Sequence, residues 1–244
     1  MIDSVKMSYY IIDVGAGAFN EYAEWIRTRP GLEIHAIEPH PELAEALKAR
    51  TKSLNVSVYQ LMIGGNGVLH VANPPSCSST LPFRMENVRR WKYPPGTTKT
   101  FCNHGVINDI PSVSISQFIE QTIPKFKQID LLNIDVQGNT MDVLRTIDCW
   151  DRIEKIIVKV HIIDWELYQG QSKSTDVIDL LTAAGYHIVS ENIISRGQEK
   201  RIIFDKTNPQ QRIHVIKTNA SQAAILSPPK PVRKTIGTKE VPRK

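Results

Sequence analysis

The sequence has few cysteines, three among 244 residues. Cys77, Cys102 and Cys149 are odd in number, lie far apart and form no C-x-x-C spacing. A disulfide-stabilised small domain and a zinc knuckle both need closely spaced, paired cysteines. The pattern therefore argues against both kinds of protein. It favours reduced thiols and predicts no metal site.

Long apolar runs are missing as well. No stretch reaches the length of about 18 apolar residues that a membrane-spanning helix needs. Residues 1–10 also lack the basic start, the apolar stretch and the small-residue cleavage site of a signal peptide. We therefore expect no membrane span and a cytoplasmic location. With 41% hydrophobic residues, a chain of this length can bury a full core as one domain.

The formal net charge of +5 comes entirely from the end of the chain. Residues 228–244 carry six Lys and Arg residues against one acid, Glu240, whereas residues 1–227 carry 24 basic and 24 acidic residues. A neutral body with a basic tail says little about the substrate of the body. Because the tail is rich in proline and without apolar periodicity, we expect residues 206–244 to be extended and disordered.

The first 70 residues alternate between strand and helix patterns. Residues 9–14 form an apolar run that predicts a buried strand, followed by a glycine loop and a helix. Residues 33–38 predict a second strand, and Pro41 begins the next helix. Residues 56–63 predict a third strand, followed by a glycine-rich turn and a return strand that ends at Val71. This β-α-β-α order indicates a parallel sheet.

The middle of the chain interrupts this order. Residues 73–112 contain six prolines and few periodic apolar positions, which predicts an irregular insertion, and long loops of this kind are often functional. Regular patterns then resume with a helix capped by Ser114, strands at 129–134 and 156–163, helices at 138–147 and 177–185, and a terminal hairpin of 186–189 with 201–204. The sum predicts an α/β domain over residues 1–205: a doubly wound, mostly parallel sheet that ends in an antiparallel hairpin.

Candidate ligand-binding residues follow the predicted strands. In an open parallel sheet, ligands bind beyond the carboxyl ends of the strands, near the point where the strand order reverses. After the first strand, Gly15 and Gly17 let the backbone approach a ligand closely. Glu38, about twenty residues further on, is placed to accept hydrogen bonds from both hydroxyls of a ribose. Asp135 follows the fourth strand of the predicted sheet.

The glycine loop also excludes some ligands. It lacks the third glycine of G-x-G-x-x-G, and no G-K-[ST] follows it, so a dinucleotide and ATP both fit poorly. A ligand that has a ribose but no phosphate fits better, especially one with an amino-acid end that needs a carboxylate partner such as Asp13. S-adenosylmethionine, converted to S-adenosylhomocysteine on reaction, is such a ligand.

Several motifs occur together in a fixed order: Ile12-Asp-Val-Gly-Ala-Gly, Ile37-Glu-Pro-His-Pro41, Ser78-Ser79, Val113-Ser-Ile-Ser-Gln-Phe118 and Ile129-Asp-Leu-Leu-Asn-Ile-Asp-Val-Gln-Gly138. Through them, residues 9–205 resemble the FkbM family of methyltransferases. The resemblance implies a seven-stranded methyltransferase fold and O-methylation of a hydroxyl on a sugar, a glycan or another small molecule. Asn133 and Gln137 depart from it, because the family usually has Lys and Glu there.

The resemblance also assigns roles to individual residues. Asp13, Gly15 and Gly17 are expected along the methionine end of the cofactor, Glu38 at the ribose, and residues 61–63 at the adenine. The full set of predicted cofactor-binding residues is Asp13, Gly15, Gly17, Glu38, Pro39, Met62, Ile63, Ser79 and Asp135.

The catalytic residues are less determined. Methyl transfer is an in-line displacement in which the cofactor carries the hard chemistry and the protein supplies alignment, so a strong base is not required. If the acceptor hydroxyl must lose a proton, the candidates are Asp135 and His161, both near strand ends, or an acidic pair holding a divalent metal. Two structural alternatives stand beside these roles: Asp135 as a helix cap and His161 as an ordinary core histidine.

Two further functions remain open. Residues 89–93 interleave cations with aromatic rings, which together with the basic tail suits nucleic acid and an RNA methyltransferase. Asn133 and Gln137, where the family carries charge, suit a non-catalytic scaffold on a methyltransferase fold. The first hypothesis stays a small-molecule or glycan O-methyltransferase, and the sequence predicts no oligomeric state.

Overall fold

The structure is a computed structural model. It describes residues 9–17, 22–29, 31–91 and 102–206, with only the backbone of 102–104. The predicted tail beyond Lys206 lies outside these residues, as do Lys92 and Tyr93 of the basic-aromatic cluster. Within the described ranges, no helix is long and apolar enough to cross a membrane.

Strands and helices alternate along most of the chain. The strands are β1 (Tyr9–Val14), β2 (Leu32–Ile37), β3 (Val56–Tyr59), β4 (Met62–Ile63), β5 (Leu69–Asn73), β6 (Cys102–Ile107), β7 (Ser112–Val113), β8 (Leu131–Ile134), β9 (Lys155–His161), β10 (His187–Ile194) and β11 (Glu199–Asp205). The α-helices are α1 (Tyr22–Thr28), α2 (Pro41–Thr51), α3 (Met85–Val88), α4 (Ile115–Thr122), α5 (Thr140–Leu144) and α6 (Ser174–Ala183). Short 3-10 turns lie at Pro75–Cys77, Trp150–Arg152 and Ser195–Gly197.

The central sheet of the described chain has seven strands in the order β3-β2-β1-β8-β9-β11-β10. The first five are parallel, and β11 runs antiparallel to both β9 and β10. The predicted α/β class, with a mostly parallel sheet and a terminal hairpin, is therefore confirmed. The strand order reverses between β1 and β8, which is where open α/β sheets bind ligands.

Helices cover both faces of the sheet because neighbouring residues of a strand point to opposite sides. Ile12 belongs to a core cluster with Phe118 of α4 and Leu181 of α6, whereas Ile11 belongs to a second cluster with Tyr22 of α1. Helix α4 begins as predicted: the Ser114 hydroxyl accepts a hydrogen bond from the backbone N–H of Gln117, whose side chain in turn accepts one from the backbone N–H of Ser114.

The prediction of one strand over residues 56–63 was wrong. The segment divides into two strands after Tyr59. Strand β3 joins the central sheet, whereas β4 pairs with β7 in a separate two-stranded sheet. The predicted return strand that ends at Val71 is present as β5, but it pairs with β6, about thirty residues later in the chain. A local apolar pattern identifies extended segments, but it does not reveal a distant pairing partner.

The predicted irregular insertion, residues 73–112, contains more regular structure than expected. Helix α3 and strand β6 lie within it, and β7 begins at its last residue, Ser112. Its described parts also pack on the rest of the domain: the Tyr168 hydroxyl donates a hydrogen bond to the carbonyl oxygen of Cys77 over 2.8 Å, and Phe83 packs against the Tyr168 ring. The insertion is thereby held against the segment that contains Tyr168.

Candidate functional site

A pocket of about 480 Å³ lies at the carboxyl ends of β1, β2 and β8. This volume falls within the range of about 300–1,000 Å³ that is typical of small-molecule sites. Its wall is made by segments from both halves of the sheet and from the insertion: residues 14–17, 37–39, 61–63, 74–80 and 135–137, with Leu43, Leu69, Trp91, Asn139, Lys159, Ser195 and Glu199.

Gly15 is required by the way β1 and β8 approach each other. Its φ is +80°, and a Cβ atom added there would lie 2.7 Å from the backbone oxygen of Asp135. Any side chain would therefore force the two strand ends apart. The loop is closed by the backbone N–H of Gly15, which donates to the carbonyl oxygen of Ile37 over 2.9 Å. The glycine predicted from the motif thus lies on the pocket wall for a steric reason.

Glu38 ties the glycine loop to the start of α2. Its Oε2 accepts a hydrogen bond from the backbone N–H of Gly17 over 2.7 Å, and its Oε1 accepts one from the backbone N–H of His40 over 2.8 Å. The side chain is buried, and burial raises its pKa to about 7 although both hydrogen bonds act to lower it. Each carboxylate oxygen has a further lone pair, so Glu38 can also accept hydrogen bonds from a ligand in the pocket.

Asp13, in contrast, is not on the pocket wall. Its Oδ2 accepts a hydrogen bond from the Tyr22 hydroxyl, and its Oδ1 accepts one from the side-chain amide of Asn133 over 2.7 Å. Burial raises the pKa of Asp13 to about 6, against the effect of these two donors. Asp13 therefore joins β1 to α1 and β8 behind the pocket, and Asn133, which departs from the family pattern, is one of its partners.

The other predicted cofactor residues do line the pocket. Pro39, Met62 and Ile63 belong to its wall, and the last two are buried. The Ser79 hydroxyl donates a hydrogen bond to the carbonyl oxygen of Gln137 over 2.6 Å and accepts one from the backbone N–H of Leu81. Ser79 thereby joins the insertion to the segment that follows β8.

Asp135 lies between two cations. In the register of β9 with β11, Lys159 is opposite Arg201, and the Asp135 carboxylate pairs with both: Oδ1 contacts the Lys159 ammonium, and Oδ2 is 3.2 Å from the Arg201 guanidinium. Burial acts to raise the pKa of Asp135, but the two cations outweigh it and lower the pKa below its usual value. Asp135 is therefore a poor proton acceptor, and its side chain does not cap α5, which lacks a side-chain cap.

His161 is near the site but is not part of its wall. It is buried, with its ring against Trp91 at 5.6 Å and Tyr168 at 5.8 Å between ring centroids. Burial lowers its pKa to about 4, so the ring is neutral at neutral pH. His161 is therefore a buried histidine beside the pocket, and its two ring nitrogens have no hydrogen-bond partner among the described residues.

Sequence reasoning missed Lys159 and Glu199, both of which line the pocket and are buried. The Lys159 ammonium lies 3.8 Å from Oε1 of Glu199. Lys159 could have been identified from the sequence, since a lysine within an apolar strand has to be paired when it is buried. No sequence pattern identifies Glu199, because its position depends on the pairing of β11 with β9.

No group of three or more His, Cys, Asp or Glu side chains with the arrangement of a metal site occurs among the described residues. The thiols of Cys77 and Cys149 are free. Cys77 lines the pocket, and burial raises its pKa to about 11.

A mostly parallel seven-stranded sheet with a pocket at the point where its strand order reverses defines a Rossmann-like α/β fold. The model of the methyltransferase FkbM domain matches residues 13–188. The chain therefore belongs to the FkbM family of S-adenosylmethionine-dependent methyltransferases. A comparison with curated protein sequences gave no match.

Three solved structures that resemble the chain are distant from it in sequence. Precorrin-6y C5,15-methyltransferase from Geobacter metallireducens GS-15 has a TM-score of 0.44 and 13% identity, over 83% of this chain and 82% of that chain. The 1,6-didemethyltoxoflavin N1-methyltransferase of Burkholderia thailandensis was solved with S-adenosylhomocysteine. It has a TM-score of 0.43 and 11% identity, over 82% of this chain and 72% of that chain. The mitomycin 7-O-methyltransferase MmcR has a TM-score of 0.42 and 13% identity, over 82% of this chain and 49% of that chain. This chain therefore spans about half of the length of MmcR.

Proposed function

We propose that the protein methylates a hydroxyl group of a small molecule or a glycan, with S-adenosylmethionine as the methyl donor. One observation carries the proposal: a single pocket contains the Glu38 carboxylate at the end of β2 and the Asp135–Lys159 ion pair beyond β8 and on β9. One part of the pocket suits a nucleoside, and the other presents charge to a second substrate.

The nucleoside part fits the cofactor. Glu38 has lone pairs free for the two ribose hydroxyls, and the apolar side chains of residues 61–63 offer a surface for adenine. Gly15 and Gly17 leave room for the amino-acid end. When bound, S-adenosylmethionine supplies a methyl group on a sulfonium, which is electrophilic enough to react once the acceptor is aligned.

The charged part favours an oxygen acceptor. The Lys159 ammonium has three N–H donors, and Asp135 takes one of them within hydrogen-bond distance. A buried cation stabilises an oxygen that gains negative character as its proton leaves, whereas it opposes the positive charge that develops on an amine during methylation. Lys159 thereby supports O-methylation over N-methylation.

The two other hypotheses gain no support from the described residues. Trp91 packs on His161, and the Arg90 guanidinium lies 4.7 Å from the centre of the Trp165 ring, so these members of the 89–93 cluster are engaged in packing. Asn133 holds Asp13, and the Gln137 side chain donates a hydrogen bond to the carbonyl oxygen of Ser76. These contacts give both departures from the family pattern a structural use within the site.

Calorimetric titration with S-adenosylhomocysteine tests the cofactor half of the proposal. Glu38→Ala removes the ribose acceptor and the loop anchor, and hydrogen bonds to a charged group contribute about 1.5–3 kcal/mol. We therefore expect an affinity about 100-fold lower than that of the wild type. Glu42→Ala, which removes an exposed carboxylate from the first turn of α2, is the matched control and should bind normally. Equal affinity in the wild type and Glu38→Ala would contradict the assigned site.

The pH dependence of the same titration is a separate prediction. The ionised Glu38 carboxylate accepts ribose hydrogen bonds best, and burial raises its pKa to about 7. Affinity for S-adenosylhomocysteine should therefore be full above this pKa and decrease severalfold as the pH falls from about 8 to about 6. Glu38→Gln should remove this dependence. Asp13, whose pKa is raised to about 6, is still present in Glu38→Gln. A pH dependence that persists in this variant would therefore be assigned to Asp13.

The hydroxyl half is tested by a methyl-transfer screen of the wild-type protein. Radiolabelled S-adenosylmethionine is offered with sugars, glycans and phenols in parallel with amines. Label transferred to a hydroxyl compound supports the proposal. Transfer to amines alone, by protein that binds the cofactor, would refute O-methylation.

A further inference from the structure

One carboxylate oxygen of a residue that lines the pocket has no hydrogen-bond donor among the described residues. Oε2 of Glu199 accepts a hydrogen bond from the Ser195 hydroxyl, but Oε1 has no hydrogen-bond partner among the described residues. Glu199 lines the pocket, and the residue is only 4% exposed. A buried carboxylate oxygen without a donor is costly, so this atom is suited to a donor that arrives with a ligand.

The surroundings of Glu199 place this oxygen beside the charged part of the pocket. Its Oε1 is 3.8 Å from the Lys159 ammonium and 3.7 Å from Nε2 of His161, both beyond hydrogen-bond distance. The Cys77 thiol lies near enough for its pKa to respond to the charges of Glu199 and Lys159. The pairing of β11 with β9 sets this arrangement, because Glu199 is directly opposite His161.

The two proton acceptors expected from the sequence are less suited to the task. Both oxygens of Asp135 are engaged with cations, as described above. His161 has unpartnered ring nitrogens but is not on the pocket wall. Of these three side chains, Glu199 alone combines a place on the wall with an oxygen that no described donor reaches.

We propose that Glu199 is a catalytic residue that accepts a hydrogen bond from the acceptor hydroxyl through Oε1 and takes its proton during methylation. The inference rests on the proposed O-methyltransferase function. The acceptor oxygen forms its bond to the methyl carbon as the S–C bond breaks, and the electron pair of that bond stays on sulfur. The O–H bond of the acceptor breaks as well, and its proton goes to Oε1 of Glu199.

The neighbouring residues then have defined parts. Lys159 lies on the same side of the pocket and can donate a hydrogen bond to the acceptor oxygen as its charge grows. The Ser195 hydroxyl holds Oε2 and thereby orients the carboxylate. Ser195 is a positioning residue, and its loss should have a smaller effect than that of Glu199.

Glu199→Gln tests the inference, because it keeps the shape of the side chain and removes the base. The assays are calorimetry with S-adenosylhomocysteine and methyl transfer to two defined hydroxyl probes, catechol and methyl α-glucopyranoside. General-base catalysis contributes about 10²–10⁴-fold, so we expect kcat to fall about 100-fold or more while the affinity for S-adenosylhomocysteine stays unchanged. Glu191→Gln on β10, which changes an exposed carboxylate paired with Lys200, is the matched control and should behave as the wild type.

Chemical rescue separates a base from a structural role. Glu199→Ala leaves space beside Lys159, and added formate can supply a carboxylate there. Recovery of part of the rate with formate supports the inference, and Glu199→Asp should retain more activity than Glu199→Ala. Thermal unfolding of each variant checks that the fold is intact.

The outcomes are distinct. Wild-type transfer to a probe with an equally active Glu199→Gln would overturn the role of Glu199 and leave O-methylation standing. Lowered S-adenosylhomocysteine affinity in Glu199→Gln would also overturn it, since Glu199 would then serve the cofactor. Wild-type protein that binds S-adenosylhomocysteine but methylates neither probe, nor any hydroxyl compound of the wider screen, would refute the proposed function and this inference with it.

Discussion

Gly15→Ala is expected to lower the free energy of unfolding by about 3 kcal/mol and to abolish binding of S-adenosylhomocysteine. A non-glycine residue in the left-handed region costs about 1–2 kcal/mol. In addition, the new Cβ would lie 2.7 Å from the backbone oxygen of Asp135, and overpacking against a rigid neighbour costs about 1–3 kcal/mol. Because the clash pushes apart the ends of β1 and β8, the pocket between them should be lost.

The matched control is Gly170→Ala. Gly170 has a φ of +74°, close to that of Gly15, but nothing lies within 4 Å of the position that its Cβ would take. It should therefore show only the backbone cost of about 1 kcal/mol and should bind normally. Urea unfolding and calorimetry measure both effects. Equal destabilisation in the two variants would mean that the contact with Asp135 is relieved without cost.

Asp135→Asn should destabilise the protein by about 3 kcal/mol, since removing one partner of a buried ion pair leaves the other charge without its nearest counter-ion. Here the loss is compounded, because Lys159 and Arg201 are directly opposite each other on β9 and β11 and would repel. The side chain of Asp135 is 27% exposed, so we take the lower end of the measured range. Methyl transfer should fall as well, because Lys159 is no longer held in place.

The control for Asp135 is an exposed acid in a similar pair. Asp142 pairs with Arg145 over 3.3 Å, with both side chains at least half exposed, and such pairs contribute about 0–1 kcal/mol. Asp142→Asn should therefore be nearly neutral. Since the pKa of Asp135 is lowered in the folded state, its contribution is present above the unfolded pKa and lost as the pH falls through the folded one. The gap between wild type and Asp135→Asn should thus be constant near neutral pH and shrink below about pH 4.

The part of the candidate site around the glycine loop was largely predictable from the sequence. Gly15, Gly17 and Glu38 lie within short motifs at the ends of the first two strands, and all three line the pocket. Their placement depends on local geometry: a tight turn, a positive φ, and an acid that reaches back to the glycine loop. Asp13 shows the limit of this reasoning, because a motif position does not reveal whether a side chain faces the pocket or the core.

The charged part of the candidate site was not predictable in the same way. Asp135 was identified by its place after β8, but its two cations come from strands 24 and 66 residues away in sequence, at Lys159 and Arg201. The pairing of β4 with β7 and of β5 with β6 was missed for the same reason. Each of these depends on which strands become neighbours.

The sequence by itself determined the class of fold, the glycine loop and the acid that faces it, because apolar periodicity and turn chemistry act over a few residues. Only the tertiary structure decided which side chains share the charged part of the pocket. Lys159 and Glu199 meet there, with His161 just behind them, because β11 returns antiparallel beside β9 in one register. A shift of that register by one residue would turn Glu199 to the other face of the sheet, and no local pattern around residue 199 specifies it.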